Sequence, residues 1–375
     1  MSDAPVPQAN PGAAYVAQRA EIQTAIARVL DGGHYILSEE VAAFEREFAD
    51  YIGRAYCLGV ASGTDALIGT LRALDPAPHD YVITASHTSV ATVAAIELAG
   101  ARPLLIDIDD RAFTLDPEEL EQVLARPPGR IAAIIAVHLY GQPADMQAIV
   151  PLARRHGVPV IEDCAQSHGA RLGPRRLGSL GEMAAFSFYP TKNLGAIGDG
   201  GAILVDDPRL HERLRAYRQY GWSAARVSQS VGGCSRLDEL QAAILRVKLA
   251  ILERDNACRR QIAACYQERL APLPLKLPWL RPDALPVFHQ YVVRSSQRDA
   301  LRTGLDRRGV GANIHYPVPV HLQPAYRGRI ALGPSALPRT EQAAREVLSL
   351  PMYPQLSDRQ IEHVCSAVSD ACRQL

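Results

Sequence analysis

The segment 187–195 places a lysine where an amine could act as a nucleophile. Lys192 lies in a loop between Pro190 and Gly195, so neither helix propensity nor a packed aliphatic stem explains it. The chain has 40 Lys and Arg residues, and only three of them are lysines. An amine can bond covalently to a carbonyl carbon, whereas the guanidinium of arginine stays protonated. Lys192 is therefore a candidate nucleophile, and the alternative is an ordinary surface lysine.

A candidate acid lies at the end of another apolar segment. Asp163 ends the run 158–163, which reads as a buried strand followed by polar residues. In open α/β sheets, ligands bind beyond the carboxyl ends of the strands. Asp163 is thus placed where chemistry usually occurs, although a solvated strand end or a cap for the next turn would also explain it.

A candidate anion site follows the apolar run 56–60. Ser62, Gly63 and Thr64 come directly before a predicted helix. The free N–H groups of a helix start, two hydroxyls and a glycine that lets the backbone approach a ligand suit a phosphate. The alternative is a structural N-cap, because Ser and Thr are favoured at that position.

Taken together, these segments match one cofactor. A phosphate cradle, a carboxylate for a ring nitrogen and a Schiff-base lysine are the attachments that pyridoxal 5'-phosphate (PLP) requires. Two other phosphate-binding patterns are missing: there is no Gly-x-x-x-x-Gly-Lys-Ser/Thr, and Ile203 interrupts Gly-x-Gly-x-x-Gly after Gly198 and Gly200. The sequence therefore disfavours a P-loop enzyme or a dinucleotide dehydrogenase.

The elements that must position these residues follow an alternating pattern. Seven apolar runs are interleaved with segments of helical periodicity, at 56–60, 81–85, 103–107, 132–137, 158–163, 184–188 and 202–205. This pattern predicts an α/β fold with a seven-stranded, mostly parallel sheet covered on both faces. A Gly-rich stretch without a helix joins the last two runs, so one of those strands is expected to run antiparallel.

The C-terminal third predicts a second, smaller unit. A long helix is predicted over 236–270, and a proline-rich connector over 272–286 leads into a smaller α+β region. We expect a PLP-binding large domain at 1–255 and a small C-terminal domain at 256–375.

The composition excludes several classes of function. With 40 basic and 40 acidic residues, the net charge of zero gives no basic footprint for nucleic acid. The longest apolar run, 131–137, is too short to cross a membrane, and residues 1–20 lack the pattern of a signal peptide. The seven cysteines form no Cys-x-x-Cys pair, so we expect free thiols and no metal site. These features predict a cytoplasmic protein that binds neither nucleic acid nor membranes.

Four longer motifs resemble a known family. They lie at 62–67, 162–166, 187–195 and 236–241. With them the chain resembles, over nearly its whole length, the PLP-dependent nucleotide-sugar aminotransferases of the DegT/DnrJ/StrS group. The resemblance implies the aspartate aminotransferase fold, known as fold type I, and a homodimer whose active sites take residues from both subunits.

The resemblance also assigns roles by motif position. Lys192 would attach to the cofactor, Asp163 would pair with its ring nitrogen and Gln166 would contact its 3-oxygen. The remaining implied cofactor contacts are Ser62, Gly63, Thr64 and Ser187 at the phosphate and His87 stacked on the ring. Residues implied to face the sugar or its diphosphate are Tyr189, His315, Tyr316 and His321, although His315 and His321 could instead bond to backbone carbonyls. Cys234 stands where the family usually has an asparagine that the partner subunit supplies, and Ser38 where glycine is common.

The implied reaction is a transamination. The amino group of L-glutamate would pass through the cofactor to a nucleotide-linked keto-sugar. The motifs around His289, His315 and His321 resemble the branch that aminates C3 of dTDP-3-keto-6-deoxyhexoses. Alternatives are amination at C4 of a 4-keto-sugar, amination of a UDP-3-keto-sugar, or a non-catalytic regulatory protein of the same fold. A dehydratase is disfavoured, because that branch replaces the lysine by histidine and Lys192 is present.

Overall fold

An eight-stranded sheet forms the centre of the structure, a computed structural model that describes residues 5–375. Its strands, in spatial order, are β1 (Tyr56–Val60), β9 (Gly201–Val205), β8 (Met183–Ser187), β5 (Val160–Asp163), β4 (Ile131–Val137), β2 (Tyr81–Ala85), β3 (Arg102–Ile106) and β12 (Ala331–Leu332). Every pair is parallel except the two that β9 makes with β1 and β8. The mostly parallel sheet with one antiparallel strand is therefore confirmed.

One strand of the central sheet was not expected from the sequence. The two-residue β12 pairs with the edge strand β3 and brings the number of strands to eight instead of seven. A pair of residues carries no periodicity, so only the tertiary structure reveals it. The other strands are β6 (Arg171–Leu172), β7 (Arg175–Arg176) and β10 (Ala284–Leu285) in one small sheet, and β11 (Tyr291–Arg294) with β13 (Val347–Leu350) in another.

Helices cover the central sheet because its strands are apolar on both faces. Strand β4, for example, has the sequence Ile-Ala-Ala-Ile-Ile-Ala-Val and is buried beyond its first residue. The α-helices are α1 (Pro11–Ala17), α2 (Arg19–Gly32), α3 (Glu39–Ile52), α4 (Gly63–Leu74), α5 (Val90–Leu98), α6 (Pro117–Ala125), α7 (Met146–Arg155), α8 (Pro208–Tyr217), α9 (Glu239–Leu249), α10 (Leu252–Leu270), α11 (Arg298–Asp306), α12 (Pro338–Glu346) and α13 (Asp358–Cys372). Within residues 5–375, none of these helices combines the length and apolar composition needed to cross a bilayer.

The long helix predicted over 236–270 is two helices, α9 and α10, so that prediction was wrong. Ala250 and Ile251 lie between them. The break lets α9 pack against α2 and α3, while α10 carries the chain onward into a second hydrophobic core. The apolar spacing continues across the break, which is why the pattern alone suggested one helix.

The second hydrophobic core lies among α10, α11, α13 and the β11–β13 pair. Its largest side chains include Tyr266 and Tyr291, and Val6 from the N-terminal segment joins it. Helix α10 starts with Leu252 in the main core and ends with Leu270 in the second. A domain boundary at residue 255, in the first turn of α10, stays a prediction.

Candidate active site

A cavity of about 280 Å³ lies where β4, β5 and β8 end and α4 begins. Of the residues expected at the cofactor or the sugar, those that line it are Ser62, Gly63, Thr64, Asp163, Gln166, Ser187, Tyr189 and Lys192. These residues come from three separate segments of the chain. The parallel topology therefore brings the three motifs into one space.

The carboxylate of Asp163 is buried and held by two donors. The hydroxyl of Thr92 donates to Oδ2 at 2.9 Å, and the backbone N–H of Ala165 donates to Oδ1 at 3.1 Å. Burial raises the pKa of Asp163, while these hydrogen bonds and the nearby charge of Lys192 act in the opposite direction. Each carboxylate oxygen can still accept another hydrogen bond.

The amine of Lys192 shares the cavity with Asp163. Burial lowers its pKa to about 8, and the charge of Asp163 partly opposes that shift. The loop around it is tightly folded: the N–H of Lys192 donates to the carbonyl of Tyr189 at 2.8 Å, and a Cβ on Gly195 would lie 2.5 Å from the carbonyl oxygen of Pro190. The amine thus lies in a rigid loop and deprotonates near neutral pH more readily than an exposed lysine.

The segment 62–64 caps helix α4 and lines the cavity. The Ser62 hydroxyl accepts from the N–H of Asp65 at 3.0 Å and donates to its carboxylate at 2.8 Å, so this side chain caps α4. Gly63 packs against Ser187, where an added Cβ would come within 2.5 Å of the Ser187 Cβ. The first N–H groups of α4 have no partner within the helix and lie at the cavity wall.

Gln166 is fixed by residues on either side of the cavity. Its Oε1 accepts from the backbone N–H of Tyr140 at 2.7 Å, and its Nε2 donates to the Tyr316 hydroxyl at 3.1 Å. An amide nitrogen carries two hydrogens, so one remains for a ligand. Tyr316, expected at the substrate, is thereby placed beside Gln166.

The structure does not bring His87 to the cavity wall. Its Nε2 is hydrogen-bonded to the Tyr140 hydroxyl at 2.7 Å, and its ring packs at the edges of Phe113 and Tyr140. Burial lowers its pKa to about 4. Thr88 and Ser89 line the cavity instead. The imidazole of His87 is thus buried and bonded within the protein, and its stacking on a cofactor ring stays a prediction.

Two other predicted substrate residues are bonded within the protein. His315 Nδ1 lies 2.8 Å from the Ser349 hydroxyl, and His321 Nδ1 lies 2.8 Å from the Ser86 hydroxyl. Neither histidine lines the cavity. The alternative of a structural role in the proline loops accordingly fits both, although their partners are side chains instead of backbone carbonyls.

Sequence reasoning missed a short row of hydroxyls. Thr88 and Thr92 are hydrogen-bonded to each other at 3.2 Å, and Thr92 donates on to Asp163. Both threonines line the cavity. An available signal was a second group of hydroxyls at a helix start, because Thr88 directly precedes the Ser89 N-cap of α5 and Thr92 lies in the first turn.

Glu162, the neighbour of Asp163, has a structural task. Its buried carboxylate accepts from the N–H groups of Gly178, Leu180 and Gly181 and bonds to His138 at 3.0 Å. Burial alone would raise its pKa, but these donors lower it overall. Glu162 thus anchors the segment 178–181.

Comparison with known proteins identifies the family. The DegT/DnrJ/EryC1/StrS aminotransferase family matches residues 16–369. The chain belongs to this family. It is 48% identical to dTDP-3-amino-3,4,6-trideoxy-alpha-D-glucose transaminase of Streptomyces venezuelae, over 97% of this chain and 96% of that protein. It is 46% identical to dTDP-3-amino-3,6-dideoxy-alpha-D-galactopyranose transaminase of Aneurinibacillus thermoaerophilus, over 93% and 94% of the two chains.

A solved relative has the same fold. The crystal structure of S. venezuelae DesV in complex with a ketimine intermediate superposes with a TM-score of 0.95 at 48% identity, over 99% of this chain and 100% of that one. The expected fold type I is therefore confirmed, and the chain is a sugar aminotransferase.

Proposed function

We propose that this aminotransferase moves the amino group of L-glutamate, by means of PLP, to C3 of a dTDP-linked 3-keto-6-deoxyhexose. The product is an amino-deoxysugar for polysaccharide or natural-product glycosylation. The observation that carries the proposal is the meeting of Lys192, Asp163 and the 62–64 cradle in one cavity. The names of the two transaminase relatives support the choice of a dTDP-sugar and of C3.

The residues present fit PLP. Gly63 and Ser187 are so close that only a glycine leaves the helix start open to a phosphate, which Thr64 would also contact. Asp163 retains acceptor capacity for a ring N–H, and Gln166 retains one amide hydrogen for the 3-oxygen. The chemistry that bound PLP supplies is an electron sink for the charge left when an α-proton is removed.

Lys192 and Asp163 have different roles toward protons: the amine accepts one from the donor, and the carboxylate pairs with a protonated ring nitrogen. With a pKa of about 8, the Lys192 amine is neutral in a useful fraction of molecules near pH 7.5 and can accept the donor's α-proton at Nζ. Asp163 would hold a proton on the ring nitrogen of bound PLP through its carboxylate, which Thr92 keeps oriented.

Substrate entry is proposed beside Tyr189. This side chain lines the cavity, is 54% exposed and lies in the same loop as Lys192. Tyr316 lies deeper, against Gln166. Tyr189 would contact the sugar or its diphosphate, and Tyr316 would close the inner wall.

A homodimer with shared active sites is part of the proposal. Cys234, at the position where the family usually supplies an asparagine to the partner, is exposed and does not line this chain's own cavity. Exposed apolar side chains near the cavity loop, such as Ile197, would be covered by a second copy. Light scattering tests the dimer, and a fully active monomer would contradict it. A cytoplasmic location stays a prediction.

The decisive experiment follows both halves of the reaction. Purified protein reconstituted with PLP should lose the absorbance of the bound cofactor aldehyde when glutamate is added. It should then aminate a dTDP-3-keto-6-deoxyhexose in preference to GDP- or UDP-linked keto-sugars. NMR of the product locates the new amine. Amination at C4, or preference for a UDP-sugar, would overturn the substrate assignment, and turnover by Lys192→Ala would overturn the assigned lysine.

A further inference from the structure

A row of polar side chains runs behind Lys192, on the side away from the cavity. We define it as the amide chain; its members are Gln8, Gln290, His289, Asn193 and Asn256. All except Asn193 are less than 10% exposed. The mechanism uses none of these side chains directly.

The first links join the N-terminal segment to the imidazole of His289. Gln8 Nε2 donates to Gln290 Oε1. Gln290 Nε2 lies 3.5 Å from His289 Nε2, and His289 Nδ1 lies 3.2 Å from Asn193 Oδ1. The row thus reaches the residue that follows Lys192 in the sequence.

The last links join Asn193 to the segment that carries Asp163. Asn193 Nδ2 donates to Asn256 Oδ1 at 2.9 Å, and Asn256 Nδ2 donates to the backbone carbonyl of His168 at 2.8 Å. His168 lies five residues after Asp163. The amide chain therefore connects the lysine loop to the segment that positions the carboxylate.

Every hydrogen bond of the amide chain has the same donor-to-acceptor direction, from Gln8 toward the carbonyl of His168. Asn193 Nδ2 also donates to the carbonyl of Val287 at 3.0 Å, and a carbonyl can only accept, so Asn193 Oδ1 must face His289. His289 consequently carries its proton on Nδ1 and accepts from Gln290 at Nε2. Burial, followed by the charge of Lys192, lowers the pKa of His289 well below its usual value and keeps it neutral. A protonated ring would place donor against donor at Gln290.

We propose that the amide chain positions the Lys192 loop against the Asp163 segment, with Asn193 and His289 as positioning residues. Asn193 is the central link of the amide chain, because its amide joins the lysine loop to α10 through Asn256. A second, smaller cavity of about 50 Å³ lies on this side of the lysine, and its lining includes Asn193, His289 and Gln290, so the bonds set how closely water in it can approach Lys192. The inference rests on the proposed role of Lys192.

His289→Gln and His289→Leu form a matched pair. A glutamine amide can donate to Asn193 and accept from Gln290, which preserves the direction of the chain. Leucine fills a comparable volume and can do neither. Gln342→Leu is the control for replacing a polar side chain by leucine, because it removes an exposed amide that does not belong to the amide chain.

The readout is the reactivity of Lys192 in the apoprotein. Acetic anhydride labels neutral amines, and mass spectrometry of the Lys192 peptide gives the labelling rate at each pH. Wild type, His289→Gln and Gln342→Leu should show a midpoint near 8. With His289→Leu, water reaches the amine from behind and the midpoint should rise toward the usual lysine value. A rise of one pH unit lowers labelling below the midpoint about tenfold.

Two results would overturn the proposal. One is a wild-type labelling profile in His289→Leu together with a lowered melting temperature, which would mean a purely structural role. The other is a His289→Gln profile equal to that of His289→Leu, which would mean that the donor and acceptor order is irrelevant. Should His289→Leu fail to fold, Asn193→Ala removes the central link and is measured in the same way. The assay contains neither cofactor nor sugar, so its outcome is independent of whether the proposed amination is observed.

Discussion

Replacing Lys192 by methionine should stabilise the apoprotein at neutral pH while abolishing transamination. Methionine has a similar length and carries no charge, so it removes the cost of burying an ammonium group. The pKa of Lys192 is lowered from 10.5 to about 8, chiefly by burial. At about 1.4 kcal/mol for each tenfold change, this shift corresponds to a ceiling of roughly 3 kcal/mol. Because the residue is only half-buried, solvent screening lowers the expected gain to about 1–2 kcal/mol.

The stability advantage of Lys192→Met over wild type should shrink as the pH rises. Between pH 8 and 10.5 the unfolded chain holds a proton on Lys192 that the folded chain has released. The free energy of unfolding of wild type therefore rises with pH through this window. In Lys192→Met, residue 192 does not titrate and makes no such contribution. The advantage of the variant should be complete below about pH 8 and should vanish above about pH 10.5.

Urea unfolding of the apoprotein, followed by circular dichroism at pH 7, 8.5 and 10.5, measures this difference. Lys276→Met, at an exposed lysine of the connector, is the matched control and should show no advantage at any of these pH values. Equal stability of wild type and Lys192→Met at pH 7, or an advantage that does not shrink with rising pH, would refute the view that burial lowers the pKa of the amine.

Three further changes test other parts of the site. Thr92→Val removes the hydroxyl donor to Asp163; kcat should fall roughly 10- to 100-fold, as expected for a lost hydrogen bond to a buried charge, and Thr92→Ser should restore most of it. Gly63→Ala should weaken PLP binding at least about tenfold in a spectroscopic titration, because the new Cβ would collide with Ser187; unchanged affinity would place the phosphate elsewhere. His321→Ala should lower the melting temperature but change KM for the sugar less than about twofold, since its buried ring is bonded within the protein.

The sequence predicted the chemistry at strand ends better than the side chains that support it. Asp163 and Lys192 could be recognised because parallel strands bring their carboxyl ends together, and because lysine is so rare in this chain. Thr92 was missed because it lies in a helix of another segment and reaches Asp163 only through the tertiary packing of α5. The sequence pattern did not say that Ser89 lines the cavity while His87 is buried, because neighbouring positions on a short loop differ in direction.

The larger elements show the same limit. The apolar runs located the seven longer strands of the central sheet, since burial on both faces produces a continuous apolar signal. The break at Ala250 and Ile251 contains neither proline nor glycine, so the sequence gives no signal for it. It exists because α9 packs in the main core, whereas most of α10 packs in the second core. Interactions that depend on two distant segments, such as those of the amide chain, are likewise invisible until the fold joins them.

The cavity acts differently on two side chains that burial alone would leave uncharged. Burial raises the pKa of Asp163 and lowers that of Lys192, and the attraction between the two charges opposes both shifts. At Asp163 the hydrogen bonds from Thr92 and Ala165 also oppose burial, although its pKa stays raised; at Lys192 only the charge of Asp163 opposes burial. The hydrogen bonds thus favour the charged form of the carboxylate, whereas burial favours the neutral form of the amine. A transaminase needs this division, because the acid must hold a proton on a ring nitrogen while the lysine accepts one from carbon.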